Sequence, residues 1–72
     1  MTITSKVKAM LAMSGKRQID LAAHFGMMKQ SMQNKMVRDA WSAKDLAKVA
    51  EFCGCKLIIS TPDGGQLFVD PD

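Results

Sequence analysis

Residues 18–36 read QIDLAAHFGMMKQSMQNKM, and most of the architecture can be predicted from this one segment. Two short helices, at about 18–24 and 29–37, are predicted on either side of Gly26, whose freedom to adopt positive φ suits a tight turn. Ala22 is small enough for a second helix to cross directly over it. The other positions that must form a core in this arrangement are apolar, namely Leu21, Phe25, Met27 and Met32. Together these features predict a helix-turn-helix, in which two helices cross at roughly 90–120°.

The segments around this motif also have characteristic patterns. A first helix can be capped by Thr4 or Ser5, and Gly15 can end it in the left-handed conformation. A fourth helix opens at Ser42 with the sequence S-A-K-D, a capping box in which the last residue reaches back to the first. Gly54 ends this fourth helix. Four helices are therefore expected before the composition of the chain changes.

The last part of the chain has the pattern of two strands. Residues 56–60 and 66–70 are β-branched or aromatic runs, and Thr61-Pro-Asp-Gly-Gly65 between them is a strong turn signal. The sequence therefore predicts a mainly α fold with a small β element: about four helices that include the helix-turn-helix, followed by a C-terminal β-hairpin.

Length and charge narrow the class of protein. A chain of 72 residues is expected to form a single domain over 1–72, with a helical part over 1–54 and a hairpin over 55–70. Residues 1–44 carry eight basic and two acidic side chains, and hence a net charge of +6, whereas residues 45–72 carry two basic and five acidic side chains, and hence −3. A basic part followed by an acidic tail indicates a polyanion partner on one face.

The sequence predicts neither a metal site nor an enzyme. Cys53 and Cys55 flank a single glycine, a spacing that makes no zinc site without further ligands, and the only histidine, His24, is expected to be exposed to solvent. No cofactor is expected, since the chain lacks a Ser/His/Asp set, paired carboxylates in apolar surroundings and a glycine-rich phosphate loop. With no long apolar segment, no signal-peptide core and few cysteines, we expect a cytoplasmic protein without a membrane partner.

One face of the third predicted helix has side chains suited to DNA. If Met32 and Met36 face inward, the opposite face carries polar side chains. The side chains that then project outward are Lys29, Gln30, Gln33, Asn34 and Lys35. In a major groove, Gln and Asn pair with adenine and Lys pairs with guanine. No acidic residue lies between Gly26 and Arg38, so no carboxylate would oppose the phosphates.

This part of the chain resembles the Cro and phage-repressor (XRE-type) helix-turn-helix family over about residues 5–54. The resemblance is carried by the segments RQIDLA, FGM, KQSM and QNKM within residues 17–36. The chain departs from the family at Arg17 and Met28, where relatives usually have a capping Thr or Ser. The last apolar residue of the recognition helix also follows the previous one by four positions, where many relatives use three.

The resemblance implies a set of DNA contacts. Gln18 would help to anchor a phosphate at the start of the first motif helix, and Arg38 would lie near the DNA backbone beyond the recognition helix. Base edges would be faced by Lys29, Gln30 and Asn34, with Gln33 close by. The DNA-binding residues predicted in this way are Gln18, Lys29, Gln30, Ser31, Gln33, Asn34, Lys35 and Arg38.

Charge, helix face and resemblance lead to one functional prediction. We expect a sequence-specific regulator of transcription that binds double-stranded DNA, repressor-like and of a phage or prophage kind, with the recognition helix (about 29–37) in the major groove. The alternative is a protein-interaction or antitoxin-like adaptor domain whose helix-turn-helix is vestigial. An adaptor should tolerate acidic residues on the recognition face, and this face has none.

The hairpin predicts self-association. Its apolar residues alternate between two faces, and they are Leu57, Ile58, Ile59, Leu67, Phe68 and Val69. One face can cover the helices, but nothing in a short monomer covers the other, and an isolated ribbon leaves open edges. We therefore expect a homodimer that binds an inverted repeat, paired either edge to edge or face to face through Ile58 and Phe68. The alternative is a monomer whose hairpin folds over the helices.

Overall fold

The computed structural model describes residues 2–71 and confirms the predicted fold class, a mainly α chain with a C-terminal β-hairpin. Its elements, in chain order, are α1 (Ile3–Ser14), α2 (Gln18–His24), α3 (Lys29–Arg38), α4 (Ala43–Phe52), β1 (Leu57–Ser60) and β2 (Gln66–Val69). Between residues 2 and 71, no helix combines the length and the hydropathy that crossing a membrane requires.

The first helix begins earlier than predicted, because its N-cap is Thr2 rather than Thr4 or Ser5. The Thr2 hydroxyl accepts a hydrogen bond from the Ser5 amide at 3.1 Å, which satisfies one of the amides that a helix leaves unpaired at its start. Gly15 ends α1 in the left-handed conformation at φ 68°, as predicted.

Thr4 lies in the interior and joins the start of α1 to the end of α3. Its hydroxyl lies 2.8 Å from the Met36 carbonyl oxygen and 2.9 Å from Asp39 Oδ1, and it accepts a hydrogen bond from Trp41 Nε1 at 2.9 Å. The Asp39 carboxylate also accepts from the amides of Ile3 and Thr4, so its charge lies at the positive end of the α1 dipole. We call Thr4, Asp39 and Trp41 the Thr4 cluster.

The core lies between the four helices and includes the predicted core residues Leu21 and Met32. The largest fully buried side chains are Val7, Leu21, Met32 and Val49. The other buried apolar residues are Leu11, Ala22, Met36, Ala47 and Ala50. Phe25 and Met27 are half-buried and pack against this core.

A tight turn sets α3 across α2. Gly26 adopts φ 68°, and the Met27 amide donates to the Ala22 carbonyl at 2.9 Å, which closes the turn over the end of α2. Ala22 itself is buried, in agreement with the need for a small residue there. The two helices and this turn form the predicted helix-turn-helix.

The hairpin follows α4 and is covered only at its base. The strands pair antiparallel, with Leu57 opposite Val69 and Ile58 opposite Phe68, and they contact mainly α4. Leu57 and Val69 are half-buried, whereas Ile59 and Leu67 on the same face are 54% and 58% exposed. The prediction that one face covers the helical core is therefore correct only for the end of the hairpin next to α4.

Candidate nucleic-acid interface

The outer face of α3 is exposed, because its buried residues, Met32 and Met36, lie on one stripe at a spacing of four. This face is polar except at Val37, whose side chain is 75% exposed. The predicted site residues that are exposed on α3 are Lys29, Gln30, Ser31, Gln33, Asn34 and Arg38. Gln18, at the start of α2, is half-buried. The structure thus brings one residue of α2 and six residues of α3 to one surface, which we call the recognition face.

Two amide–amide hydrogen bonds organise the recognition face. Gln18 Nε2 donates to Gln33 Oε1 at 2.8 Å, which links the start of α2 to the second turn of α3. Gln30 Nε2 donates to Asn34 Oδ1 at 3.2 Å, four residues along the same helix. Each bond uses one donor and one acceptor, so each pair keeps further amide groups with which to bind another molecule. Holding these side chains in place reduces the entropy lost when they bind.

The helical pattern predicted that Lys35 projects outward with the other polar residues of α3, and this prediction is wrong. Its ammonium group lies 2.7 Å from both Asp45 Oδ2 and the Ala40 carbonyl oxygen, and 5.1 Å from the centre of the Trp41 ring. The side chain is only 15% exposed. Lys35 follows buried Met32 by three residues and therefore borders the buried stripe, from which its flexible stem reaches Asp45 on α4. In the structure, Lys35 links α3 to α4 through its ion pair with Asp45.

The partner of Lys35 also caps α4. Asp45 Oδ2 accepts from the Ser42 amide at 3.1 Å, and the Ser42 hydroxyl accepts from the Asp45 amide at 3.1 Å, which is the predicted capping box. Burial raises the pKa of Asp45, but hydrogen bonds from Lys35 and Ser42 outweigh this effect and the pKa is lowered. The carboxylate is therefore held charged in a place where it binds the protein itself.

The other carboxylates near the motif, Asp20 and Asp39, also accept hydrogen bonds from groups of the protein itself. Asp20 accepts from the Arg17 amide at 3.0 Å and from the Arg17 guanidinium at 3.3 Å, so it supplies the cap that Arg17 cannot. Hydrogen bonds from the Arg17 side chain and amide lower the pKa of Asp20. Hydrogen bonds from Thr4 and Ile3 to Asp39 outweigh its partial burial and lower its pKa too. Over residues 2–71, no carboxylate lies within ion-pair distance of Lys29 or Arg38.

A concavity at the start of α3 contains a residue that the sequence did not assign to the site. It has a volume of about 560 Å³ and is lined by Gln18, Met28, Lys29, Gln30 and Gln33. In the sequence, Met28 stood out only as a missing helix cap, and the structure agrees that it makes no capping hydrogen bond. The helical pattern left Met28 outside the predicted core, but nothing in the sequence assigned it to the site.

The exposed part of the hairpin forms a second candidate surface. Ile59, Leu67 and Phe68 are 54–58% exposed, and Ile58 is also exposed. The Lys56 ammonium lies 5.5 Å from the centre of the Phe68 ring. In the described part of the chain, no group of three His, Cys, Asp or Glu residues could hold a metal ion, and His24 is exposed with its ring stacked on Phe52.

Comparison with known proteins places this geometry in a family. The sequence model of the bacteriophage CI repressor helix-turn-helix domain matches residues 6–59, about three quarters of the chain. The match runs from the first half of α1 through all of the helix-turn-helix and α4 into β1. No curated protein and no solved structure matches the chain.

Proposed function

The chain belongs to the bacteriophage CI repressor helix-turn-helix family, which consists of DNA-binding regulators rather than enzymes, and we propose that it represses transcription by binding a specific sequence of double-stranded DNA. The observation that carries the proposal is the recognition face, where exposed amides and a lysine project from α3 without a competing carboxylate. Phosphates would repel an acidic group at such a surface. In this proposal α3 lies in the major groove, and the protein acts in the cytoplasm of a bacterial cell.

Two kinds of contact are expected. Gln30 and Asn34, with Gln33 beside them, can form bidentate hydrogen bonds with adenine, and Lys29 can bind guanine. Gln18 begins α2 and Arg38 ends α3, and from these positions they can bind phosphates and fix the position of α3. Ser31 belongs to the same face, whereas the ion pair of Lys35 with Asp45 removes Lys35 from the proposed set.

In vitro selection of bound duplexes tests this proposal. We expect Gln30→Ala and Asn34→Ala to cost about 1–3 kcal/mol on the preferred duplex and to relax the selected sequence at the bases they contact. Because Gln30 and Asn34 are hydrogen-bonded to each other, the two losses should not add in the double variant. Arg38→Ala should instead weaken binding to every duplex alike and reduce the salt dependence by about one counterion.

Two results would contradict the proposal in different ways. If both alanine variants selected the wild-type sequence unchanged, the bases would be contacted by another face. If the wild-type protein bound no duplex even at low salt, the adaptor function that the exposed hairpin also permits would be favoured instead.

We further propose that the protein is a homodimer that binds an inverted repeat, with residues 56–70 forming the interface. The exposed apolar side chains of the hairpin and its two unpaired edges support a second copy as the partner, since two-stranded ribbons are marginal alone. A twofold axis would also relate two copies of α3, as an inverted repeat requires, and half-sites one helical turn apart would need these copies about 34 Å apart.

Sedimentation equilibrium of two charge-matched double variants tests the interface. Ile58→Lys/Phe68→Lys should abolish the dimer if that face is used, and Ile59→Lys/Leu67→Lys should do so if the opposite face is used. A dimer that survives both substitutions would be paired edge to edge. A wild-type protein that stays monomeric at tens of micromolar and selects a single half-site would rule out the homodimer.

A further inference from the structure

Met28 has a position that the stability of the fold does not explain. Its side chain is 78% exposed, whereas the neighbouring Met27 packs against the core. It is also the N-cap of α3 without making a capping hydrogen bond, at a position where Ser, Thr, Asp or Asn would stabilise the helix. An exposed apolar side chain at this place contributes neither to the core nor to the helix end.

The surroundings of Met28 are polar and carry no negative charge. Of the five side chains that line the concavity at the start of α3, four end in amide or ammonium groups, and the fifth is the thioether of Met28. The hydrogen bond between Gln18 and Gln33 holds two of these amides in place. One flexible apolar group therefore stands among hydrogen-bonding groups, on the surface through which the proposed function contacts DNA.

From this placement we propose that Met28 selects thymine by contacting its 5-methyl group in the major groove. The inference rests on the proposed function, since it requires α3 to lie in that groove. The thymine methyl is the apolar group that base pairs present there. Methionine is unbranched and polarizable, so it can follow such a group without strict geometry. The amides beside it suit adenine, so A·T pairs are expected where the first turn of α3 meets the DNA.

The test removes one methyl group from the DNA and the Met28 side chain from the protein, separately and together. Within the selected duplex, each thymine is replaced in turn by uracil, which lacks only the methyl group. For the wild-type protein, one uracil position in each half-site should raise Kd about fourfold, the effect of exposing one methyl-sized apolar group. For Met28→Ala the same uracil should leave Kd unchanged, since the contact is already absent.

Matched variants separate this contact from effects on folding. Met13 is 79% exposed and belongs to α1 rather than to the concavity, so Met13→Ala should retain the uracil effect in full. Met28→Ser supplies a capping hydroxyl that favours α3, and it should lose the uracil effect while keeping the wild-type circular dichroism and melting temperature or raising the latter.

The outcomes distinguish the inference from the function on which it rests. If the wild type selects a sequence but tolerates uracil at every thymine, or if both Met28 variants keep the uracil effect, the role of Met28 is disproved and the proposed function stands. If the wild type selects no sequence at all, both are overturned.

Discussion

The helical body (α1–α4) and the hairpin satisfy their side chains in different ways. In the helical body, residues distant in sequence meet: Val7, Leu21, Met32 and Val49 come from four helices and are fully buried together, and the Thr4 cluster joins positions 35 residues apart. In the hairpin, the contacts are local. Its turn is closed by a hydrogen bond from the Thr61 amide to the Gly65 carbonyl at 2.9 Å, and most of its apolar side chains are exposed.

The difference separates contacts that stabilise the fold of a single chain from surfaces that are left free to contact a second molecule. Buried apolar contacts between distant residues stabilise the fold of a single chain, so the helical body can hold the recognition face without help. The hairpin gains little from its own chain beyond its base, which makes a second molecule the natural source of its remaining contacts. Substitutions in the two regions should therefore have effects of different size and of different dependence on protein concentration.

The largest expected effect comes from matched leucine truncations in the two regions. Leu21→Ala removes a fully buried side chain and should lower the free energy of unfolding by about 2–5 kcal/mol. Leu67→Ala removes a side chain that is more than half exposed, so in dilute protein it should change this free energy by about 0.5 kcal/mol or less. Urea denaturation followed by circular dichroism measures both.

The same pair tests the association of the hairpin. If the hairpin pairs with a second copy through the face that carries Ile59 and Leu67, the cost of Leu67→Ala should grow with protein concentration, since association stabilises the folded state by mass action. The cost of Leu21→Ala should change less. Equal costs for the two variants in dilute protein would contradict the contrast between the regions.

The second expected effect compares two lysines of α3, one that should matter for stability and one that should matter for DNA binding. Lys35→Met keeps an apolar stem but leaves Asp45 without its cationic partner, and it should lower the free energy of unfolding by about 1–3 kcal/mol. Lys29→Met changes an exposed side chain, so it should leave stability within about 0.5 kcal/mol of the wild type while weakening DNA binding. Denaturation and a DNA titration on both proteins should give opposite rankings. A stable Lys35→Met protein that failed to bind DNA would return Lys35 to the recognition face.

Local patterns predicted the elements of this protein better than the contacts between them. Gly15, Gly26 and the Ser42 capping box were read correctly because each acts within one turn of the backbone. The prediction failed where a distant residue decides the outcome: Thr4 is a plausible cap by sequence, but Asp39 binds it instead.

The candidate site shows the same limit. Exposed residues of α3 followed from the positions of Met32 and Met36, whereas Lys35 stands at the border of the buried stripe, where the periodicity does not determine its direction. Its true partner, Asp45, was recognised only as a helix cap. The sequence also did not predict that Ile59 and Leu67 of the hairpin extend beyond α4 and stay exposed. Alternation predicts which residues share a face, but not how far another element covers that face.

The smallest expected effect compares two aspartates, one from each region. Hydrogen bonds lower the pKa of Asp39, from the Thr4 amide above all, and that of Asp63, from the Thr61 hydroxyl above all. The donors to Asp39 lie 35 and 36 residues away and are lost on unfolding, whereas those to Asp63 lie two residues away and can persist in the unfolded chain. A carboxyl whose pKa is lower in the folded state adds stability above its ordinary pKa of 3.8, and this stability is lost as the pH falls through the folded value.

Below about pH 5 the free energy of unfolding should therefore fall less steeply in Asp39→Asn than in the wild type, while Asp63→Asn should follow the wild-type curve. Asparagine tolerates the left-handed conformation of residue 39, at φ 55°, so the substitution tests charge rather than backbone strain. Urea denaturation of the three proteins at a series of pH values measures the effect, and parallel curves for wild type and Asp39→Asn would show that the Thr4 cluster does not depend on the charge of Asp39.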